Sequence, residues 1–245
     1  MLQAFASGRL FGATFGSGAP WVLALHGWRR SHEDFAETLR GVEAVAIDLP
    51  GFGATPPPPE AWGGAEYAGA IAPVLDELAG PAVVVGHSFG GQVAVHLAAA
   101  RPDAVAALVL TGTPLFRAAG GRKPPIGFRL ARALHRRGLL GEARMEALRQ
   151  RHGSADYRAA TGVMRDVFVK VVNEPYEAQL GSLSQPVELV WGDDDAEVPL
   201  AVAERAASVI PNARLTVCRG AGHLTPLTAP DKIRDALLRH RPGQP

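Results

Sequence analysis

Short apolar runs alternate along this chain with longer segments of helical character, and this alternation limits the folds that the chain can adopt. Six runs are rich in β-branched and other apolar residues and are too short for helices, which is typical of strands buried on both faces. They span residues 21–25, 44–47, 82–85, 105–110, 187–191 and 214–217. Parallel strands need a crossover connection, usually a helix. The alternation therefore predicts an α/β fold, with a mostly parallel central sheet and helices on both faces.

Two segments between these runs are predicted helices. In residues 66–78, Ile71 and Leu78 lie seven residues apart on one helical stripe. Residues 92–100 are rich in helix formers and end before Pro102. Each segment leads into the next predicted strand, as a crossover helix should.

The alternation stops in the middle of the chain. Residues 114–184 carry no strand pattern, and helical segments are predicted at 126–137, 141–150, 156–172 and 174–183. A helical insertion between two strands belongs above the edge of the sheet. We therefore predict a helical lid at 114–184, inserted before the last two strands, with the core formed by residues 1–113 and 185–245.

Size and composition exclude several classes of protein. A chain of 245 residues with 47% hydrophobic and 20% charged residues can bury a core, so disorder and fibrous structure are excluded. The net charge of +1 gives no global field that would attract nucleic acid. The single cysteine, Cys218, cannot form an internal disulfide, and no apolar window is long enough for a membrane span. We expect a cytoplasmic protein.

A serine flanked by glycines follows one of the predicted strands, in the order Gly86, His87, Ser88, Phe89, Gly90. On a sharp strand-to-helix turn, the positions two before and two after the serine must lack Cβ atoms, which explains both glycines. Such a turn exposes the Ser88 hydroxyl above the carboxyl edge of the sheet. It also places the amide of Phe89 at a helix N-terminus, where it can stabilise an oxyanion. Ser88 is thus a candidate nucleophile.

A serine nucleophile needs an imidazole to take its proton and a carboxylate to orient that imidazole. His223 lies on a glycine-rich loop after the last predicted strand and is the candidate base. Three candidate carboxylates, Asp193, Asp194 and Asp195, follow an earlier strand run directly. The chain order is then serine, aspartate, histidine.

Four signatures in this order make the sequence resemble the α/β-hydrolase superfamily over nearly its whole length. They are Leu25-His26-Gly27-Trp28, Asp48-Leu49-Pro50-Gly51-Phe52-Gly53, the serine turn, and the paired aspartate and histidine loops. The family's acid loop, Gly-x-x-Asp-x-x-Val-Pro, matches here with Asp195 in the acid position. The resemblance therefore implies an α/β-hydrolase fold and favours Asp195, with Asp193 and Asp194 as alternatives.

The resemblance also implies roles for the loop after the first parallel strand. The amide of Trp28 would be the second oxyanion donor, and His26 would brace the loop. The family's other acid position, after the strand that precedes the lid, holds Thr111 to Pro114 and offers no carboxylate. No cofactor is expected for this chemistry. No histidine has another histidine or an acid at metal-ligand spacing with supporting context, so no metal is predicted.

The predicted lid offers two indications about substrate. Aromatic residues there could line an apolar acyl pocket or could simply attach the lid to the core; they are Phe116, Phe128, Tyr157 and Phe168. The segment is also basic, with thirteen Lys and Arg residues against six Asp and Glu. A basic lid could receive a carboxylate-bearing substrate or an acidic carrier protein, as in the pimeloyl-carrier-protein methyl ester esterases, whose His-Gly-Trp opening the chain shares. A merely solvated basic surface is the alternative.

The sequence thus predicts a serine hydrolase that cleaves carboxylic esters or thioesters through an acyl-enzyme. Activity should rise with pH as His223 loses its proton, near its reference pKa of about 6.5. Carbon–carbon bond hydrolases and perhydrolases of this superfamily keep the same three residues and stay open as alternatives. So does a receptor that uses the pocket to bind a small ligand.

Overall fold

The centre of the protein is a sheet whose strands alternate with helices along the chain. The computed structural model describes residues 1–116, 126–152 and 154–243. Its strands are β1 (Gln3–Phe5), β2 (Leu10–Phe15), β3 (Val22–Leu25), β4 (Ala44–Asp48), β5 (Ala82–His87), β6 (Val105–Thr111), β7 (Val187–Gly192) and β8 (Ala213–Cys218). They form one sheet in the order β1-β2-β4-β3-β5-β6-β7-β8. The pairs β1–β2 and β2–β4 are antiparallel and the remaining pairs are parallel, so the predicted mostly parallel sheet is confirmed.

The described helices lie between and after these strands. They are α1 (Gly64–Leu75), α2 (Phe89–Ala100), α3 (Ile126–Arg136), α4 (Glu142–His152), α5 (Ala155–Ala159), α6 (Gly162–Val171), α7 (Glu177–Ser182), α8 (Leu200–Val209), α9 (Thr225–Thr228) and α10 (Pro230–Leu238), with short 3-10 helices at His32–Phe35 and Pro102–Ala104. None of these helices combines the length and the hydropathy needed to span a bilayer.

Successive side chains of the central strands enter two separate cores, one on each face of the sheet. On β3, Leu23 belongs to the core shared with α1, α2 and α8, while Val22 belongs to the core shared with α10. This follows from the two-residue period of a strand, and it requires that both positions be apolar. The predicted helices on both faces are therefore confirmed.

The first two strands were not predicted from the sequence. β1 and β2 form an antiparallel hairpin at the edge of the sheet, joined by a turn in which Ala6, Ser7 and Gly8 all have positive φ. Neither strand is a continuous apolar run, because only one strand of this pair has neighbours on both sides and much of β1 is exposed. Edge strands of this kind lack the apolar signal that marks buried parallel strands.

The observed helix bounds differ from the predicted ones by a few residues, and in two segments the backbone shows why. The segment 66–78 gives α1, which ends at Leu75 because Asp76 and the two residues after it bond to carbonyls only three positions back. The segment 156–172 is divided into α5 and α6, because Ala160 and Thr161 are extended and Gly162 has a φ of +51°. The Thr-Gly pair is the sequence signal for that break.

The helical segment between β6 and β7 is anchored to the core at its C-terminal end. Val167 and Val171 of α6 and Leu180 of α7 are buried in the same core as α1 and α2. The boundaries 114–184 and the function of this segment as a lid stay predictions. Three of its basic residues, Arg117, Arg122 and Lys123, lie outside the described residues.

The central strand β3 offers a test of the fold. Leu23→Ala removes a fully buried side chain between packed layers, so we expect the free energy of unfolding to fall by about 3 kcal/mol. The matched variant Leu227→Ala alters a leucine that is 46% exposed and should lower it by about 0.5 kcal/mol or less. Urea denaturation followed by circular dichroism measures both values. Equal losses in the two variants would contradict the burial pattern.

Candidate active site

Ser88 lies on the tight turn between β5 and α2, with a φ of +50° and a ψ of −115°. This left-handed backbone costs a non-glycine residue on the order of 1–3 kcal/mol and persists only where the surroundings enforce it. Here the Ser88 amide donates a hydrogen bond to the Thr111 carbonyl at 2.9 Å, and the amide of Gly91 donates to the Ser88 carbonyl at 3.0 Å. These bonds fix the turn from β6 on one side and from α2 on the other.

The glycines on either side of Ser88 are required by close backbone contacts. A Cβ atom on Gly86 would lie 2.5 Å from the Cα of Gly91, and one on Gly90 would lie 2.1 Å from the carbonyl oxygen of Leu25. No side chain fits at such distances, so only glycine allows α2 to begin immediately beside β3 and β5.

Asp195 and His223 form a hydrogen-bonded pair at the carboxyl edge of the sheet. The ring of His223 donates from Nδ1 to Oδ2 of Asp195 at 2.9 Å. The other oxygen of Asp195 accepts hydrogen bonds from the amides of Glu197 at 2.9 Å and Val198 at 2.8 Å. With its side chain fully buried, Asp195 is held in one orientation by all three donors.

The two partners stabilise each other's charged forms. Burial of Asp195 opposes ionisation, but its hydrogen bonds from His223 and from the loop amides outweigh this and lower its pKa. Burial likewise works against a charged His223. The hydrogen bond and the charge of Asp195, followed by the charges of Glu197 and Asp156, nevertheless raise the pKa of His223 above its ordinary value of 6.5.

Ser88 and His223 line the same pocket, which has a volume of about 480 Å³. The Oγ atom of Ser88 makes no hydrogen bond to any residue that the structure describes, so its hydroxyl is available to a ligand. Trp28, Arg29, Asp156 and Glu197 are also in the lining. The structure therefore brings the predicted nucleophile and base to one cavity and places the predicted acid behind the base.

The two predicted oxyanion donors are the amides of Trp28, which lines this pocket, and of Phe89, the first residue of α2 after Ser88. Trp28 lies in a turn closed by a hydrogen bond from the Arg30 amide to the Gly27 carbonyl at 3.2 Å. A Cβ on Gly27 would lie 3.4 Å from the Cβ of Ser88, so this turn passes directly beside the serine. Within the described parts of the chain, neither the Trp28 amide nor the Phe89 amide has an acceptor. Both donors are free for an oxyanion.

Two buried histidines hold the loops of the site. His26 donates from Nδ1 to the Gly27 carbonyl at 2.7 Å and accepts at Nε2 from the Leu49 amide at 2.9 Å. Nε2 of His87 donates to the carbonyl of His223 at 3.0 Å. Desolvation lowers the pKa of each ring to about 4, so both are neutral at pH 7. Their hydrogen bonds hold the neighbouring loops in place, which is the role predicted for His26.

The four aromatic residues predicted to line an acyl pocket are not brought together. Phe168 packs against Trp28, a residue of the pocket lining, with 5.1 Å between ring centroids. Phe116 is buried in the core with the guanidinium of Arg205 over its ring. Phe128 and Tyr157 line a different cavity, of about 750 Å³, between α3, α4, α5 and α6. Substrate contact by any of the four stays a prediction.

Several residues at the site had no sequence signal. Gly112 packs on the His223 ring, since a Cβ there would lie 2.9 Å from Cε1. The Arg29 guanidinium lies 3.5 Å from the carboxylate of Asp156 of α5, and both residues line the pocket. Glu197 lies near the far side of the His223 ring. A loop's path decides which of its side chains face a pocket, and a pattern of residues does not encode that path.

Across the described residues, no cluster of three or more His, Cys, Asp or Glu could hold a metal ion.

The sheet topology and this arrangement of serine, histidine and aspartate define a class of protein, the α/β hydrolases. The model of the alpha/beta hydrolase family matches residues 22–236, and the chain belongs to that family.

Two curated relatives illustrate its range. The chain is 31% identical to a 2-hydroxy-6-oxononadienedioate/2-hydroxy-6-oxononatrienedioate hydrolase of Cupriavidus pinatubonensis, covering 85% of this chain and 82% of the relative. It is 32% identical to a pimeloyl-[acyl-carrier protein] methyl ester esterase of Aromatoleum aromaticum, covering 86% and 94%. Among solved structures, a thermophilic esterase from Thermogutta terrifontis shares the fold, with a TM-score of 0.67 and 23% identity. The match covers 98% of this chain and 97% of the esterase.

The pairing of His223 with Asp195 can be tested against the neighbouring aspartate. Asp195→Asn removes the buried negative charge, so we expect the pKa of His223 to fall by about one unit or more. Asp193→Asn is the matched control, because Asp193 instead accepts a hydrogen bond from the Gly220 amide at 2.7 Å. A titration of the His223 ring by NMR measures the shift. A larger shift in Asp193→Asn than in Asp195→Asn would show that Asp193, and not Asp195, is the carboxylate that acts on His223.

Proposed function

We propose that this protein is a serine hydrolase that cleaves carboxylic esters or thioesters through an acyl-enzyme intermediate. One observation carries the proposal. The imidazole of His223, hydrogen-bonded to Asp195 at 2.9 Å, faces the same pocket as a serine hydroxyl held on a strained turn. Membership of the alpha/beta hydrolase family and the similarity to a methyl ester esterase support it.

The proposed reaction uses each group in turn. Neutral His223 takes the proton of Ser88 while Oγ attacks the carbonyl carbon of the substrate. The amides of Phe89 and Trp28 donate to the oxyanion that forms, and Asp195 stabilises the imidazolium. Protonated His223 then gives its proton to the departing alcohol or thiol. A water molecule, deprotonated by the same ring, releases the acid and regenerates Ser88. None of these steps needs a cofactor.

The pH dependence of this reaction follows from the state of His223. The ring must be neutral to accept the Ser88 proton, so kcat/KM is low below its pKa and rises as the pH passes through it. Because the pKa is raised above 6.5, half of the maximal kcat/KM should be reached above pH 6.5.

Carbon–carbon bond hydrolysis is the second candidate, since the same three residues would serve it. The similarity to the 2-hydroxy-6-oxononadienedioate hydrolase favours this reaction. The two candidates differ in the bond broken and in the leaving group, so a substrate panel separates them. The cytoplasmic location expected from the sequence stays a prediction.

Ser88→Ala tests the nucleophile. We expect kcat/KM for p-nitrophenyl esters and acyl thioesters to fall about 10⁴-fold or more, because the acyl-enzyme forms on the hydroxyl that this change removes. A fluorophosphonate should label wild type at Ser88 and leave the variant unlabelled, as mass spectrometry of peptides would show. Ser208→Ala is the control, because Ser208 is an exposed serine on α8.

Three results would each contradict the proposal in a different way. Labelling at another residue would displace Ser88 from its role. Faster turnover of a vinylogous 1,5-diketone than of any ester would favour carbon–carbon hydrolysis. Tight binding of a small ligand with negligible turnover of every substrate would favour a receptor.

We further propose that residues 114–184 form a lid whose basic surface receives an acidic carrier protein bearing the acyl group. Several arginines of α3 and α4 are exposed and have no ion-pair partner in the described chain; they are Arg129, Arg132, Arg136 and Arg144. Uncompensated positive charge attracts an acidic partner and speeds its encounter. The relative whose name includes an acyl-carrier protein supports this choice of partner.

Arg129→Glu tests the carrier surface. Arg129 lies in the first turn of α3, where a carboxylate is tolerated by the helix dipole, so the change reverses charge with little effect on the helix. We expect KM for an acyl thioester on an acidic carrier protein to rise about fivefold, and KM for the same acyl group on pantetheine to stay constant. The rise should shrink with added salt. Arg219→Glu, also on the surface, is the control. Equal effects on both substrates would reject the carrier surface.

A further inference from the structure

A second carboxylate approaches His223 from the side opposite Asp195. The Oε2 atom of Glu197 lies 3.6 Å from Nε2 of the ring, while Asp195 holds Nδ1 at 2.9 Å. In the proposed function, Nε2 is the atom that takes the proton of Ser88. In the structure, the group near Nε2 is the carboxylate of Glu197. The Ser88 hydroxyl makes no hydrogen bond to any described residue.

The protonation state of the ring decides whether a carboxylate is favourable at this position. With its proton on Nδ1, a neutral ring presents a lone pair at Nε2, which repels a carboxylate. An imidazolium presents an N–H at Nε2 and attracts it. The observed placement is therefore more favourable for a protonated His223 between Asp195 and Glu197 than for the neutral base.

The other charged groups around the ring do not supply this contact. Asp156 of α5 also lines the pocket and its charge adds to the raised pKa of His223, but its carboxylate is paired with the guanidinium of Arg29 at 3.5 Å. Arg30 is held by Asp34 through two hydrogen bonds at 2.6 and 2.5 Å.

The remaining titratable neighbour is His87, whose ring centroid is 4.9 Å from that of His223. His87 is neutral at pH 7 because its pKa is lowered to about 4. The described pocket lining contains two carboxylates, Asp156 and Glu197. Asp156 pairs with Arg29, whereas the ion pair of Glu197 within the described chain is with His223.

We propose that Glu197 is a positioning residue for His223, whose carboxylate holds the protonated ring at Nε2 in the resting enzyme and so competes with Ser88 for that atom. The proposal rests on the proposed function, in which His223 is the general base. The consequence is a pH threshold for activity, which is the pH at which His223 loses its proton. Above the threshold the ring loses its proton, the attraction to Glu197 disappears, and Nε2 becomes free to accept the proton of Ser88.

The size of this effect is limited by solvent. The side chain of Glu197 is 70% exposed, so water and salt screen its charge. A pair of charges about 4 Å apart under such conditions shifts a titration by roughly half a pH unit. The charge of Glu197 is among the causes that raise the pKa of His223, which agrees with this direction.

Glu197→Gln tests the proposal through the pH profile of ester hydrolysis. We expect the acid limb of kcat/KM to move to lower pH by about 0.5 unit, so that kcat/KM at pH 5.5 rises about threefold. On the alkaline plateau of the profile, where the ring is neutral in both proteins, the two profiles should coincide. Glu197→Asp keeps the charge and should keep most of the wild-type threshold. Glu204→Gln, on the exposed face of α8, is the matched control.

A second measurement does not depend on catalysis. In a Ser88→Ala background, NMR titration of the His223 ring should give a midpoint about 0.5 unit lower with Glu197→Gln than without it, and 1 M NaCl should abolish the difference. If no ester or thioester is turned over, the proposed function fails, yet this titration still decides whether Glu197 acts on His223. An unchanged or raised midpoint in Glu197→Gln would overturn the proposal.

Discussion

The strained backbone at Ser88 is the constraint on which the rest of the site depends. A positive φ at a serine is unfavourable, so the turn survives only because the strands and the helix around it leave no alternative path. That enclosure leaves no room for a Cβ atom at three neighbouring positions: Gly86 and Gly90 lie against backbone atoms, and Gly27 lies against the ring of His87. The packing energy of the sheet and of α2 thus holds a hydroxyl in a conformation that it would not adopt by itself.

Parallel strands explain why residues far apart in the sequence meet at this turn. The carboxyl ends of β3, β5, β7 and β8 reach the same edge of the sheet, and each is followed by a loop. These loops carry Trp28, whose amide is the predicted oxyanion donor, then Ser88, Asp195 and His223 in that order. The spacing of those residues along the chain is therefore unimportant. What matters is that each follows a strand of one parallel sheet.

This dependence on strand ends is the reason that so much could be predicted from the sequence. Buried parallel strands give continuous apolar runs. The first and last residues of each of the six predicted runs lie within two residues of those of an observed strand. The candidate residues follow those runs and were found with them. The hairpin of β1 and β2 gives no such run, because edge strands are partly exposed. The break between α5 and α6 depends on three residues whose backbone leaves the helix, and apolar periodicity continues across it.

The contacts that sequence could not predict are those made by side chains on irregular loops. Asp195 and Glu197 are two residues apart on one loop, yet they approach opposite edges of the same ring. Their environments differ as much as their positions. Asp195 is buried with three hydrogen-bond donors, so its charge is fixed and nearly independent of salt. Glu197 is exposed and free to leave the ring. One loop therefore supplies a permanent carboxylate that makes His223 a stronger base and a removable one that restrains it. The difference between the two comes from solvent access, which the path of the loop sets and which the identity of the residues does not reveal.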